Sequence, residues 1–235
     1  MNVTYLDHSG FCVELKHTVL IFDFVEGSLP HFDPKKAIYF FVSHRHQDHF
    51  HKHLGELLTA YPQAKAIVSS DIRRVRDAAV TFMRPKEERM LDDIYITTLQ
   101  STDEGVAFLV QAEQQVIYHA GDLHWWYWDD DSKSEKAAMK QAYFTEIKKL
   151  CDIPIDLAFL VLDPRQESDY WMGFDAFMRI NQVQYAVPMH CWEDYDIMNR
   201  LKNHPCSEPY RDRIISYDHR GETFQIGGKQ DEICI

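Results

Sequence analysis

The sequence contains no close pair of cysteines and no long apolar run. Its cysteines are odd in number, widely scattered and without a CxxC spacing: Cys12, Cys151, Cys191, Cys206 and Cys234. This pattern predicts neither a disulfide framework nor a zinc finger, and reduced thiols fit a cytoplasmic protein. No stretch approaches the roughly 18 apolar residues that span a bilayer, and we expect no targeting segment at the start of the chain. We therefore expect no membrane partner.

Basic residues are also scarce. Lys and Arg number 25 against 37 Asp and Glu, which gives a net charge of −12. Because phosphate backbones reward clusters of Lys and Arg, we expect no nucleic-acid partner. A bound metal ion can supply positive charge locally, so cleavage of a phosphodiester stays open. The composition, 45% hydrophobic and 26% charged, is that of a globular protein, and the length predicts a single domain over 1–235.

Short apolar segments alternate with amphipathic ones along the chain. The predicted strands are Val3–Leu6, Phe11–Leu15, Val19–Phe24, Ala37–Val42, Ala66–Val68, Ile94–Leu99, Gly105–Val110, Val116–Tyr118, Ile155–Leu162, Tyr185–Val187, Ile214–Tyr217 and Thr223–Ile226. The predicted helices are Phe50–Ala60, Asp71–Phe82, Lys133–Leu150 and Phe174–Ile180. A β-rich start followed by alternating elements predicts an α/β fold of two mixed sheets packed together with helices outside.

Four potential metal ligands follow the predicted strand Ala37–Val42 within six positions: His44, His46, Asp48 and His49. Alternate side chains of an extended segment share a face, so His44 and His46 can bind one ion while Arg45 points away. Asp48 and His49, after a turn, can reach a second position nearby. Imidazoles and carboxylates suit zinc, iron or manganese. A loop of surface histidines is the alternative, but the four ligands in this order favour a metal site.

This HxHxDH spacing resembles the signature of the metallo-β-lactamase superfamily. Val116–Asp122 is similar to the family's strand ending in Gly-Asp, whose aspartate bridges two metals, and Ala186–His190 to its final histidine motif. The resemblance implies a four-layer αββα sandwich of two mixed β-sheets with outer helices. It also implies one or two divalent metal ions, with zinc favoured over manganese or iron. The implied ligands are His44, His46, Asp48, His49, Asp122 and His190.

Two further phrases, Asp7–Phe11 and Tyr118–Asp122, resemble a bacterial branch of the family that includes L-ascorbate-6-phosphate lactonase. This resemblance implies hydrolysis of a small molecule, with His8 and His119 near the pocket. Each of these two histidines either contacts the substrate or forms hydrogen bonds beneath the site that brace a ligand.

The chain departs from the family pattern in one loop. The family usually has a further histidine before the strand that precedes Gly-Asp, and Leu99–Gly105 contains none. Asp103 is the best replacement because a carboxylate binds hard or borderline ions, with Glu104 and Thr102 as weaker candidates. Asp103 fits a turn before Gly105 equally well. Without a replacement, the position served by Asp48, His49, Asp122 and His190 would be the more complete one, and the preference would move toward manganese or iron.

Several residues near these motifs have a structural alternative. Cys191 follows His190, but neighbouring side chains of an extended segment point oppositely, so we favour a buried structural thiol over a nucleophile. The aromatic run His124–Trp128 either walls the pocket, with Trp125 as a candidate substrate contact, or packs under the following helix. His51 and His53 are interpreted as exposed helical residues.

The sequence therefore predicts a metal-dependent hydrolase in which a metal-activated water attacks a small ester, lactone or phosphate-containing metabolite. Asp48 or Asp122 would orient that water and assist proton transfer. The alternatives are a non-catalytic metal- or ligand-binding protein on the same fold, a phosphodiesterase or nuclease, and an iron-dependent oxidoreductase. The expected partner is a small-molecule substrate, and a homo-oligomer stays open.

Overall fold

The structure is a computed structural model that describes residues 1–33, 35–50, 54–73, 75 and 77–227. Its strands are β1 (Asn2–Asp7), β2 (Gly10–Glu14), β3 (Thr18–Phe22), β4 (Ala37–Val42), β5 (Lys65–Ser69), β6 (Val80–Met83), β7 (Glu88–Leu91), β8 (Ile94–Gln100), β9 (Val106–Ala112), β10 (Gln115–His119), β11 (Ile155–Val161), β12 (Val183–Met189) and β13 (Thr223–Gln225). Its α-helices are α1 (Leu54–Ala60), α2 (Lys133–Ile147), α3 (Met172–Ile180) and α4 (Asp196–Asn203). His51 and His53 lie outside the described residues.

The strands form two mixed sheets. The first has the order β13-β1-β2-β3-β4-β5-β6, and the second has the order β12-β11-β10-β9-β8-β7. In the first sheet the neighbours from β13 to β3 are antiparallel and those from β3 to β6 are parallel. In the second sheet β10, β11 and β12 are parallel, whereas the neighbours from β10 to β7 are antiparallel. The predicted fold class is confirmed.

The main core lies between the two sheets, and strand alternation decides which side chains enter it. On β3, Leu20 and Phe22 face the second sheet, while Val19 and Ile21 belong to a separate cluster with Leu54 of α1. Such alternation follows from the two-residue repeat of a strand. Burying each of these side chains fully stabilises the fold by roughly 1.5–3 kcal/mol. Both faces of the sheet are therefore covered.

The longest helix, α2, begins with a capping box. The Ser132 hydroxyl accepts a hydrogen bond from the Glu135 amide, and the Glu135 carboxylate accepts one from the Ser132 amide. The helix ends at Ile147, and a 3₁₀ turn continues it over Lys148–Leu150. None of the helices formed by the described residues is both long and apolar enough to cross a membrane.

Two predicted elements are wrong. Within the predicted helix Asp71–Phe82, the described residues form turns and the start of β6, which pairs in parallel with β5; Arg74 and Arg76 lie outside the described residues. Pairing with β5 overrides the weak helical pattern because Val80, Thr81 and Phe82 favour strands. The predicted strand Ile214–Tyr217 is reduced to one bridge between Ile214 and Ala186. Strand β7 and helix α4 were not predicted.

The parallel strands place the polar residues of the predicted site at one edge of the molecule. Carboxyl ends of neighbouring parallel strands meet at the same edge of a sheet, and in open α/β sheets that edge is where ligands bind. Strand β1 also ends at this edge, because β1 and β3 are both antiparallel to β2. Six segments follow strand ends here: His8 after β1, Asp23 after β3, Ser43–His49 after β4, Asp122 after β10, Asp163 after β11 and His190 after β12. The fold therefore gathers both sheets' polar ends around one site.

Candidate metal centre

The turn after β4 holds the histidine cluster against both sheets. His44 and His49 are fully buried, whereas His46 and Asp48 are partly exposed. The Ser43 carbonyl accepts a hydrogen bond from Val106 of β9 at 3.0 Å, which ties the end of β4 to the second sheet. His44 Nε2 lies 3.0 Å from His46 Nδ1, so these two side chains do share one side as the spacing predicts.

Gly105 permits that close approach. A Cβ atom at this position would lie 2.0 Å from the Ser43 carbonyl oxygen and 2.5 Å from the His44 Cβ. Its φ of +69° is also a conformation that glycine adopts far more readily than other residues. A glycine is therefore required where the loop before β9 crosses the histidine turn.

Asp122 lies at the centre of the cluster. Its Oδ1 is 3.2 Å from His49 Nε2 and 3.6 Å from His190 Nε2, and its Oδ2 is 3.4 Å from His44 Nε2. Because its two oxygens face different histidines, the Asp122 carboxylate could take part in two neighbouring metal positions.

A second group of donors forms on the side of β1 and β12. The His8 Nε2 is 3.4 Å from Asp48 Oδ2, and the rings of His8 and His190 are 4.1 Å apart. The ligand atoms of His8, Asp48, His49 and His190 all lie within 4.8 Å of one another, and we call these residues the second ligand group.

Asp103 belongs to the opposite side of the cluster. Its Oδ2 is 3.9 Å from His46 Nδ1, and a set of mutually close donor atoms joins His46, Asp103 and Asp122. We call His44, His46, Asp103 and Asp122 the first ligand group. Asp103 also takes part in a turn, because its backbone amide donates a hydrogen bond to the Ser101 hydroxyl at 3.1 Å. Glu104 forms an ion pair with Arg45, and its Oε2 also lies 3.5 Å from His46 Nε2.

Sequence reasoning missed Asp23, which braces the cluster from below. This buried aspartate accepts hydrogen bonds from the Ser43 amide at 2.7 Å, the Ser43 hydroxyl at 2.6 Å and the His49 Nδ1 at 2.7 Å. Its φ of +40° is rare for a residue other than glycine. This hydrogen bond keeps a proton on His49 Nδ1 and orients the ring so that Nε2 faces Asp122. The signal was its position directly after a buried strand.

Asp163 was also missed, and it does the same for the other sheet. It is fully buried, and its Oδ2 lies 2.9 Å from His190 Nδ1, so the His190 Nε2 faces Asp122. His190 is held in turn by its backbone amide, which donates to the His8 carbonyl at 3.1 Å. His8 and His190 have φ of +41° and +65°, strained values of the kind that persist where surrounding structure fixes them.

The electrostatics of the cluster suit metal binding. Burial, together with His190 and His49, lowers the pKa of His8 to about 3; burial, together with His49, lowers that of His44 to about 4. Both rings are therefore neutral at neutral pH and keep a free lone pair. Burial would lower the pKa of His49, but Asp122 and Asp23 raise it well above its usual value. A proton on His49 must therefore leave before Nε2 can bind a metal ion.

Three buried polar atoms at the centre have no hydrogen-bond partner: His8 Nε2, His49 Nε2 and Asp122 Oδ1. The contact between the last two, at 3.2 Å, lacks hydrogen-bond geometry. Leaving such groups buried without a partner costs roughly 1–3 kcal/mol each. Divalent cations held by the two ligand groups would give these atoms partners, and the imidazole and carboxylate donor set is one that such cations prefer. The residues present therefore fit one or two divalent ions.

The three remaining candidates of the sequence lie beside or beneath the cluster. His119 is fully buried, with Nε2 2.8 Å from the Ser9 carbonyl and Nδ1 accepting from the Gly121 amide, so both nitrogens are used by the backbone. Trp125 packs on Phe144 of α2 with ring centres 5.3 Å apart, away from the substrate position predicted for it. Burial raises the pKa of the Cys191 thiol to about 12, which agrees with a structural thiol.

A cleft of about 310 Å³ opens over the cluster. Its lining comprises His46, Asp48, Thr102, Asp103, Asp122, Trp126, Trp128, Met139, Arg165 and His190. Trp126 and Trp128 are stacked with ring centres 5.7 Å apart, and they form an aromatic wall beside the carboxylates. The aromatic run of the sequence therefore divides, with Trp126 and Trp128 in the cleft and Trp125 behind it.

Comparison with known proteins places this arrangement in a family. The model of a family described as beta-lactamase superfamily domain matches residues 2–138, which include the histidine turn and Asp122. No curated protein matches the sequence.

Solved structures share the fold at low sequence identity. Igni18, described as a novel metallo hydrolase from the archaeon Ignicoccus hospitalis, is 17% identical with a TM-score of 0.65; the match covers 96% of this chain and 99% of that one. CmlA, a diiron beta-hydroxylase from Streptomyces venezuelae, is 10% identical with a TM-score of 0.62 over 96% of this chain and 54% of that one. The short form of human tRNase Z is 14% identical with a TM-score of 0.56 over 97% and 100%. Because identities are this low and the reactions differ, these matches establish the fold alone.

Proposed function

Since the chain belongs to the metallo-β-lactamase superfamily, we propose that it is a hydrolase that uses one or two divalent metal ions to cleave a small ester, lactone or phosphate-containing metabolite. The observation that carries the proposal is the set of buried atoms without hydrogen-bond partners on His8, His49 and Asp122, beside an open cleft that Asp122 itself lines. Buried ligand atoms without partners, gathered beside a substrate-sized opening, are typical of a metal-assisted active site.

The first ligand group would hold one ion and the second ligand group another, with Asp122 between them. The second group contains three histidines, of which His49 and His190 are buried, whereas in the first group His46 is partly exposed and Asp103 is exposed. The second position therefore has the stronger donor set, and His8 enlarges it beyond what the sequence motifs imply. The imidazoles of the second group favour zinc, while the carboxylates of the first group also accept manganese or iron.

When bound, the ions would acidify water and polarise the carbonyl or phosphoryl group under attack. The chain's own residues supply orientation and proton acceptors. Asp163 and Asp23 fix the rings of His190 and His49, so that neither can turn away from the centre. Asp48 lines the cleft and is partly exposed, so its carboxylate can accept a proton from a water on the substrate side. Trp126 and Trp128 cover one side of the cleft and limit access of bulk water.

The test combines metal analysis with turnover. Protein purified without added metal, and its His46→Ala and His190→Ala variants, would be analysed for bound metal and assayed against 4-nitrophenyl acetate, a γ-lactone and 4-nitrophenyl phosphate. We expect about two equivalents of metal in the wild type, a loss in each variant and hydrolysis that stops on chelation. His17→Ala is the control, because His17 is exposed and lies outside the cluster.

Two results would contradict the proposal. Protein without metal, even after incubation with zinc, manganese and iron, would remove its basis. Full metal content without turnover of any substrate class would instead favour the non-catalytic alternative.

A further inference from the structure

Arg165 brings a fixed positive charge into the cleft. Among the residues that line the cleft, which all lie in the described part of the chain, the other ionisable groups are the carboxylates of Asp48, Asp103 and Asp122 and the imidazoles of two histidines. Arginine stays protonated in proteins, so this cation persists at any working pH. In a chain with a net charge of −12, one arginine facing the reaction cleft requires an explanation.

Among the described residues, the Arg165 guanidinium donates hydrogen bonds only to the Asp163 carboxylate. Its Nε and Nη2 donate to the Asp163 carboxylate at 3.0 and 2.5 Å, while Nη1 forms no hydrogen bond to any described residue. The guanidinium carbon lies 4.6 Å from the centre of the Trp192 ring and 5.8 Å from that of Trp128. Two aromatic rings and one carboxylate therefore orient the group, and about half of the side chain remains exposed to the cleft.

Asp163 does not need this arginine to satisfy its hydrogen bonds. It also accepts bonds from His190 Nδ1 at 2.9 Å, Trp192 Nε1 at 3.3 Å and the Arg165 amide at 2.8 Å. The guanidinium thus has more donors than its partner uses. A preorganised fork with a free donor is the form in which arginine recognises carboxylates and phosphates.

We propose that Arg165 binds an anionic group of the substrate, a carboxylate or a phosphoryl group, while an adjoining apolar part of the same molecule packs on Trp126 and Trp128. The inference rests on the proposed hydrolase function and narrows its substrate class. Trp192, which is 45% exposed, and Trp128 would flank the anionic end. The substrate is then an amphipathic small anion rather than a neutral ester or a polyanionic strand.

The experiment measures binding of three probes that cannot be hydrolysed and that share a phenyl group: phenylphosphonate, phenylacetate and phenylacetamide. Isothermal calorimetry on the metal-loaded wild type and on Arg165→Gln and Arg165→Lys gives the dissociation constants. Arg200→Gln is the matched control. Arg200 also pairs with an aspartate, Asp194, and lies over an aromatic ring, Tyr170, but it does not line the cleft.

For Arg165→Gln we expect the two anions to bind about tenfold or more weakly, because a charge-assisted pair is lost. Phenylacetamide should change less than about twofold, and Arg165→Lys should fall between wild type and Arg165→Gln since it keeps the charge without the fork. The anion with the larger loss identifies whether the substrate carries a carboxylate or a phosphoryl group. Arg200→Gln should bind all three probes like the wild type.

Three outcomes would overturn the inference. The first is that neither anion binds the wild type, and the second is that Arg165→Gln binds the anions as tightly as the wild type does. The third is that Arg165→Gln binds all three probes equally more weakly and loses metal, which would make Arg165 a structural support of Asp163. Metal content and hydrolysis of neutral 4-nitrophenyl acetate are measured on the same samples. Failure of the hydrolase proposal would appear there, independently of the binding data.

Discussion

Replacing Asp23 by asparagine tests how the fold prepares the metal centre. If the asparagine oxygen keeps the bond from the Ser43 amide, its NH₂ takes the place of the oxygen that accepts from Ser43 Oγ and His49 Nδ1. That NH₂ would donate to Nδ1 and move the proton of the ring to Nε2, the atom that faces Asp122. The opposite rotamer would set NH₂ against the Ser43 amide. Neither arrangement satisfies every donor.

The magnitudes follow from these contacts. One buried donor left unsatisfied costs roughly 1–3 kcal/mol, and for a domain of this size each kcal/mol lowers Tm by about 2–4 °C. Loss of an aspartate that orients a ligating histidine typically weakens metal binding about 10- to 100-fold. Competition with a chelator of known affinity measures the second effect, and a thermal melt of the metal-free protein measures the first.

The control is Asp175→Asn. Asp175 is also buried and accepts hydrogen bonds from Arg179 Nε at 2.8 Å and Tyr210 Oη at 2.9 Å, and neither partner belongs to the metal cluster. We expect it to lower Tm to a similar extent and to leave metal affinity unchanged. If Asp23→Asn binds metal as tightly as the wild type while its Tm falls, the reasoning about the His49 tautomer is refuted.

Further outcomes follow from single positions. Gly105→Ala should destabilise the protein by about 2 kcal/mol or more in chemical denaturation, because the new Cβ would lie 2.0 Å from the Ser43 carbonyl oxygen at a φ of +69°. Gly55→Ala, in α1 with open space around it, should be neutral or stabilising. Equal effects of the two substitutions would show that the clash at Gly105 does not matter. His8→Ala should lower bound metal by about one equivalent, and an unchanged content would remove His8 from the ligands. Cys191→Ala should retain wild-type kcat, since burial raises the thiol pKa to about 12; loss of turnover in a variant with full metal content would reopen a nucleophilic role.

The histidine turn after β4 could be predicted from the sequence because its ligands, from His44 to His49, lie close together in the chain. Alternation along an extended segment is a local property, so the side-by-side placement of His44 and His46 follows from spacing alone. The sheets were readable for a similar reason, since buried strands such as β3 and β4 are short apolar segments bounded by polar residues.

The aspartates that support the cluster were harder to predict: Asp23 directly follows a buried strand, but nothing in the sequence links it or Asp163 to a histidine. Asp23 and Asp163 are single aspartates whose histidine partners lie 26 and 27 residues away, and no periodic pattern marks such a contact. The same limit explains β6, because its strand character depends on pairing with β5 rather than on its own sequence. The division of the aromatic run between cleft and helix likewise depends on how α2 packs.

The backbone bond between His190 and His8 has a consequence for the order of folding. It joins the end of β12 in one sheet to the end of β1 in the other. The second ligand group also spans both sheets, because three of its members follow β1 and β4 of the first sheet and His190 follows β12 of the second. Neither sheet can gather these donors until the two have docked, so tight metal capture is a late event on the folding pathway. A late interaction slows unfolding far more than it speeds folding. Bound metal should therefore slow unfolding and lengthen the lifetime of the native state, while the rate of folding stays nearly unchanged.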